Sequence, residues 1–258
     1  MGEIYYNPKV IYDNNKEIIY KSAGYIPNDD TVFYYRLDNL IDRGPYNAHL
    51  TNNNSVTFSS GTGYTYSTFV NSYASTDMWL EHSSPYNLPD IRKYFSMCFW
   101  YRRRNNLPHI TLAEATFSLG DGVTTYNKIS NYQVHVNENL KLTVWNVTTQ
   151  SGAANTLSSV KPFVAEEWNF CCYAKNGTTS YHYSGSTNSG SFGFLGTLQN
   201  NYGPWTTFNN LQVGSANASP STNVYGYNGD ISTLIGEDVY WNIDKVQEMF
   251  DLGPYSIE

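Results

Sequence analysis

Residues 94–102, Tyr-Phe-Ser-Met-Cys-Phe-Trp-Tyr-Arg, constrain the fold more than any other stretch. Side chains on a β-strand alternate between its two faces. Phe95, Met97, Phe99 and Tyr101 therefore share one face, while Cys98 and Trp100 share the other. A strand apolar on both sides has to be covered on both sides, which puts it in the middle of a sheet. Residues 168–174 behave alike, with Trp168, Phe170, Cys172 and Ala174 on one side. The alternation predicts that Phe95, Met97, Phe99, Trp168 and Phe170 pack between two sheets.

The rest of the chain agrees with an all-β fold. Aromatic residues make up 16% of the chain and charged residues only 14%, with 24 Tyr. That favours strands over helices, whose usual Ala, Glu, Lys and Leu are sparse. Strands are expected at 32–37, 56–58, 132–136, 140–147, 211–214 and within 224–241, with Asn137-Glu138-Asn139 turning a hairpin. The Gly/Ser/Thr-rich stretch 176–191 contains Tyr181-His182-Tyr183, and reads as a hairpin with polar turns rather than a linker. One helix is predicted near the end. Asn242 caps it, Asp244 lies in its first turn, Ile243, Val246 and Phe250 share a face, and Gly253-Pro254 stops it. Residues 29–258 then form one sandwich. Residues 1–28 stand apart as β-prone bursts, to be read either as added strands or as an arm that docks on a partner.

The order of the segments resembles the laminin-G-like, concanavalin A-like family. Tyr34-Tyr35-Arg36-Leu37-Asp38, Leu40-Ile41-Asp42-Arg43-Gly44 and Leu50-Thr51-Asn52-Asn53-Asn54 are similar to its opening. Phe95-Ser96-Met97-Cys98-Phe99-Trp100-Tyr101 and Glu167-Trp168-Asn169-Phe170 are similar to its central strands. Tyr227-Asn228-Gly229-Asp230-Ile231, Glu237-Asp238-Val239-Tyr240-Trp241 and a short helix are similar to its close. The hairpin after the Trp strand, Tyr181-His182-Tyr183-Ser184-Gly185, departs from the family's form. The resemblance implies a jelly-roll sandwich of two antiparallel sheets with one short C-terminal helix.

Several function classes fall away. A net charge of −7 argues against nucleic acid, and Arg102-Arg103-Arg104 reads as a solvated strand end. No apolar run is long enough to insert into a membrane. Three cysteines, Cys98, Cys171 and Cys172, have neither zinc spacing nor even number, and all are expected reduced. Glycosidases of this shape carry spaced carboxylates on one strand face. Here Glu166-Glu167 and Glu237-Asp238 are adjacent and point apart, and Asp230 and Asp238 read as exposed turn or strand ends. No nucleophile elbow or phosphate loop is present. The expectation is a protein that is not an enzyme.

Two binding sites are candidates. The resemblance leaves calcium open, with Asp38 and Asp42 as hard oxygen ligands. Asn200, Asn201, Tyr202 and Trp205 combine aromatic rings with amides on a turn-rich loop. That combination suits sugar C–H faces and hydroxyls.

No secretion signal is recognisable at the N-terminus. The expected role is a virion structural or adhesion protein, such as a bacteriophage head-decoration, fibre or tail component. It would assemble in the host cytoplasm, join other virion subunits through residues 1–28, and meet a host-surface glycan. A homo-oligomer fits this reading. The alternative is a carbohydrate-binding module exported by a non-Sec route and used extracellularly. A glycoside hydrolase is a distant third.

Overall fold

The doubly apolar strand lies inside the larger of two antiparallel sheets in the computed structural model. The structure describes residues 9–12, 18–21, 24–53, 55–61, 64–70, 78–82, 94–104, 113–120, 131–137, 142–147, 154–158, 166–199, 210–216 and 225–254. The larger sheet runs, from one edge, β15 (Ser191–Gln199), β14 (Thr179–Ser186), β13 (Asn169–Asn176), β8 (Tyr94–Arg102), β19 (Gly229–Glu237), β6 (Tyr64–Phe69) and β5 (Thr57–Gly61). β3 (Thr31–Tyr35) pairs with the far half of β19. The smaller sheet runs β12 (Ala154–Ser158), β11 (Leu142–Val147), β10 (Asn131–Asn137), β9 (Ala113–Gly120), β16 (Asn210–Val213), β7 (Trp79–His82) and β4 (Thr51–Asn53). A small ladder joins β17 (Ser215–Ala216) to β18 (Tyr225–Gly226). This is a jelly-roll sandwich closed by one helix, α1 (Ile243–Leu252).

The near-continuous apolar strands carry two cores, one on each face of the larger sheet. Phe95, Met97, Phe99 and Tyr101 of β8, with Cys171 and Tyr173 of β13, meet Leu80, Leu211 and Val213 of the smaller sheet. Cys98, Trp100, Trp168, Phe170 and Cys172 lie on the opposite face, under Val246, Met249 and Phe250 of α1. Trp168 and Phe170 therefore do not pack between the sheets. The alternation assigned them correctly to one side, but that side is the one the helix covers. Trp100 sits 5.1 Å from Phe170 and 5.3 Å from Phe250, ring centre to ring centre.

The helix has its expected ends. The Asn242 side chain accepts a hydrogen bond from the Lys245 N–H, and Gly253 closes the C-terminus at φ 68°. Its buried residues are Val246, Met249 and Phe250, whereas Ile243 is 52% exposed. Helical angle says which way Ile243 points, but at the first turn it meets no sheet. β3 ends at Tyr35 rather than residue 37, because Leu37 takes a left-handed backbone (φ 55°). β19 carries an irregularity between Ser232 and Ile235, with Thr233 at φ 43°. Its first residues pair with β6 and its last with β3. The N-terminal strands β1 (Lys9–Tyr12) and β2 (Ile18–Lys21) pair with each other in a two-stranded sheet of their own.

Candidate functional site

The outer face of the larger sheet is only partly roofed by α1. Beside the helix, β14 and β15 bring aromatic rings together at the sheet edge. Register places Tyr183 opposite Phe194 and Tyr181 opposite Thr197. Phe194 is 57% exposed and lies 5.5 Å from Tyr183 and 6.5 Å from Tyr181. Tyr240, between β19 and α1, lies 5.6 Å from Tyr181 with its ring tilted. Phe192 links this group to the buried Phe250 at 5.5 Å. Burial pushes the Tyr183 phenol up to about 12, and raises that of Tyr240, so both remain protonated donors at neutral pH. Phe194 is exposed, Tyr181 and Tyr240 are half-buried beside it, and Tyr183 is buried. An exposed ring with half-buried phenols near it suits a ligand that is apolar in plane and polar at its edges.

The other end of the same face is built around Asp230. Gly229 lets β19 come close there: its backbone φ is 152°, and a Cβ would lie 2.3 Å from the Arg102 carbonyl. Asp230 is fully buried, and its Oδ2 accepts from Arg102 Nε (2.9 Å), Arg102 Nη2 (2.7 Å) and Arg104 Nε (2.8 Å). Thr68 Oγ1 donates to Oδ1 at 2.8 Å. The Arg102 guanidinium lies over Trp168 (4.7 Å) and Tyr66 (5.3 Å), and Arg104 over Tyr66 (5.6 Å). The basic run is thus no solvated strand end, and Asp230 no exposed turn. Arg103 is also buried. The clamp joins residues more than a hundred positions apart, and pattern-reading along the chain could not show it.

The other residues singled out in the sequence are placed as follows. Asn200, Asn201, Tyr202 and Trp205 lie outside the described residues, directly after the last residue of β15. Asp42 is buried and accepts backbone N–H bonds from Tyr34, Gly44 and Ala48, each at 2.9 Å. Asp38 lies between Arg43 (3.3 Å) and Arg36 (3.6 Å). Asp42 is spent holding its own loop, Asp38 faces cations, and no cluster of three metal-ligating side chains occurs among the described residues. Glu237 is buried, and its carboxylate accepts from Tyr25 and from the Trp241 indole. Asp238 is half-buried, with Asp30 and Glu237 adding to the burial that raises its carboxyl.

One contact invites a catalytic reading. Ser180 Oγ lies 3.0 Å from His182 Nε2. Both residues are fully buried, and burial lowers the His182 imidazole to about 3. The pair is sealed from any substrate in this structure.

The chain superposes on botulinum neurotoxin type C, which depends on interaction with two ganglioside molecules to enter cells. The TM-score is 0.62 at 13% identity, over 86% of this chain and 51% of that one. It superposes on the receptor binding domain of botulinum neurotoxin D with TM-score 0.61 and 11% identity, over 86% and 52%. It also superposes on the native heptameric SAP-like pentraxin from Limulus polyphemus, with TM-score 0.50 and 16% identity, over 69% and 78%. The chain has the concanavalin A-like jelly-roll fold. It spans about half the length of the neurotoxin chains it matches. No family model and no curated protein matches it.

Proposed function

We propose that this chain is a non-catalytic saccharide-recognition module. The observation that carries the reading is Phe194, a large apolar ring left 57% exposed and flanked by Tyr181 and Tyr183 on a rigid sheet edge. Such a platform stacks against the C–H face of a sugar, while the half-buried Tyr181 and Tyr240 phenols donate to its hydroxyls. In the sequence, the segment from Asn200 to Trp205 that follows β15 carries amides and aromatic rings of the same chemistry. The ganglioside dependence of neurotoxin type C supports a sugar-facing use of this fold. Phe194→Ala should lower affinity on a glycan array and in titration calorimetry by about tenfold, the loss of one well-placed aromatic contact. Unchanged binding, or turnover of a polysaccharide, would overturn the reading.

The wider setting we propose is a virus particle carrying many copies. A platform of this size binds one sugar weakly, and tethering copies raises avidity by roughly 10²–10⁴-fold. The self-paired hairpin β1–β2 supports an anchoring arm, since its ladder closes on itself rather than on either sheet. Removing residues 1–28 should leave a cooperative melt while abolishing incorporation into particles. Normal incorporation would refute the arm.

A further inference from the structure

We propose that Arg104 forms a second recognition point on this face, reading the carboxylate or sulfate of an acidic saccharide. At the Asp230 clamp two guanidiniums share one carboxylate. Arg102 offers Asp230 two nitrogens, but Arg104 offers only Nε. Neither terminal nitrogen of Arg104 hydrogen-bonds any described residue, and its side chain is 29% exposed.

The geometry is that of a prepared donor. The Nε bond to a fully buried carboxylate fixes the plane of the guanidinium, and Tyr66 backs it at 5.6 Å. The hydrogen bond that Arg104 donates to the Asp230 carboxylate raises the Arg104 pKa, so the group stays charged at any working pH. The two outward Nη groups then form the fork that carboxylate and sulfate oxygens match in pairs, which a lysine cannot reproduce. The protein as a whole carries −7, so its overall field repels anions. Recognition at Arg104 is therefore local and short-ranged.

This inference does not depend on the Phe194 platform, which lies beside α1 on β14 and β15, away from the arginines at the end of β8. The test is titration calorimetry of the full chain with sialyllactose, a hyaluronan hexasaccharide and a heparan sulfate hexasaccharide, with lactose as the neutral reference. At least one acidic probe should bind about tenfold more tightly than lactose, and the arm that does so tells carboxylate from sulfate. Arg104→Gln should bring that probe down to the lactose level. Arg104→Lys, which keeps the charge but not the fork, should lose most of the preference. Phe194→Ala should leave the acidic-to-neutral ratio unchanged even where it weakens both. The proposal is overturned if no acidic probe outbinds lactose, or if Arg104→Gln keeps the preference. Loss of cooperative melting in both arginine variants would equally overturn it, by showing the residue to be a structural clamp.

Discussion

His182 gives the fold a specific weakness to acid. Its imidazole is enclosed on the inner side of β14, with Tyr173 edge-on at 5.3 Å and Ser180 as its hydrogen-bond partner. Burial lowers its pKa from the ordinary 6.5 to about 3. Between those values the unfolded chain takes up a proton that the folded chain refuses. Stability therefore falls as pH drops through this window, and is unaffected by His182 above it. The full slope is about 1.4 kcal/mol per pH unit, so moving from pH 6 to pH 4 removes on the order of 2–3 kcal/mol. That is a large share of the roughly 5–15 kcal/mol that holds a typical domain. His182→Gln keeps a polar partner for Ser180 and cannot titrate. Urea unfolding of both proteins at half-unit steps isolates the effect, because carboxylates common to both cancel in the difference. The variant should gain on the wild type steadily as pH falls from 6 to 4. A difference that stays flat, or an NMR titration of folded His182 centred near 6.5, would refute the argument.

Other expectations follow from the same packing. Phe99→Ala, in the core between the sheets, should cost about 3–5 kcal/mol in urea titration, and less than about 1 kcal/mol would contradict that placement. Asp42→Ala strands the three amides of Tyr34, Gly44 and Ala48. At about 1–3 kcal/mol for each unsatisfied buried donor, it should cost at least about 3 kcal/mol, and added calcium should not restore the loss. Cys98, Cys171 and Cys172 are buried and form no disulfide, and burial raises the thiols of Cys98 and Cys172. Native protein should react slowly with a thiol reagent, and denatured protein should show three groups.

The strands and the helix caps were legible because each is written locally. Two-residue alternation marked β8 and β13, and an Asn and a Gly-Pro pair bracketed α1. Alternation cannot say what covers each face, which is why Trp168 and Phe170 were assigned to the wrong core. The Asp230 clamp was illegible for a different reason. Arg102, Arg104, Thr68 and Asp230 come from three strands and the end of one of them, and each looks like an ordinary surface residue on its own segment. The aromatic platform left a weak trace, Phe192 and Phe194 alternating in a Gly/Ser-rich edge. Its convergence with Tyr181 and Tyr240 required the hairpin register and the turn before α1.

Geometry explains why exposed aromatic and charged groups gather on this face. Seven strands abreast span roughly 29 Å at about 4.8 Å spacing. A ten-residue helix is about 15 Å long and about 10 Å wide, so it roofs only part of that area. It is held at one end by Ser96 Oγ accepting from the Trp241 N–H, and at the other by Ser232 Oγ donating to the Pro254 carbonyl. Since Ser232 pairs with Trp100, the helix lies over the part of β8 that reaches from Ser96 to Trp100. What it leaves uncovered must be polar or serve as a contact. Arg102 and Arg104 lie beyond Trp100 and meet the requirement with charge, set on Tyr66 and Trp168. The β14–β15 edge meets it with rings, where Phe194 is largely exposed. The incomplete roof thus leaves one charged and one aromatic surface on a single rigid sheet. A ligand with an acidic group on one sugar and a flat face on another would match both.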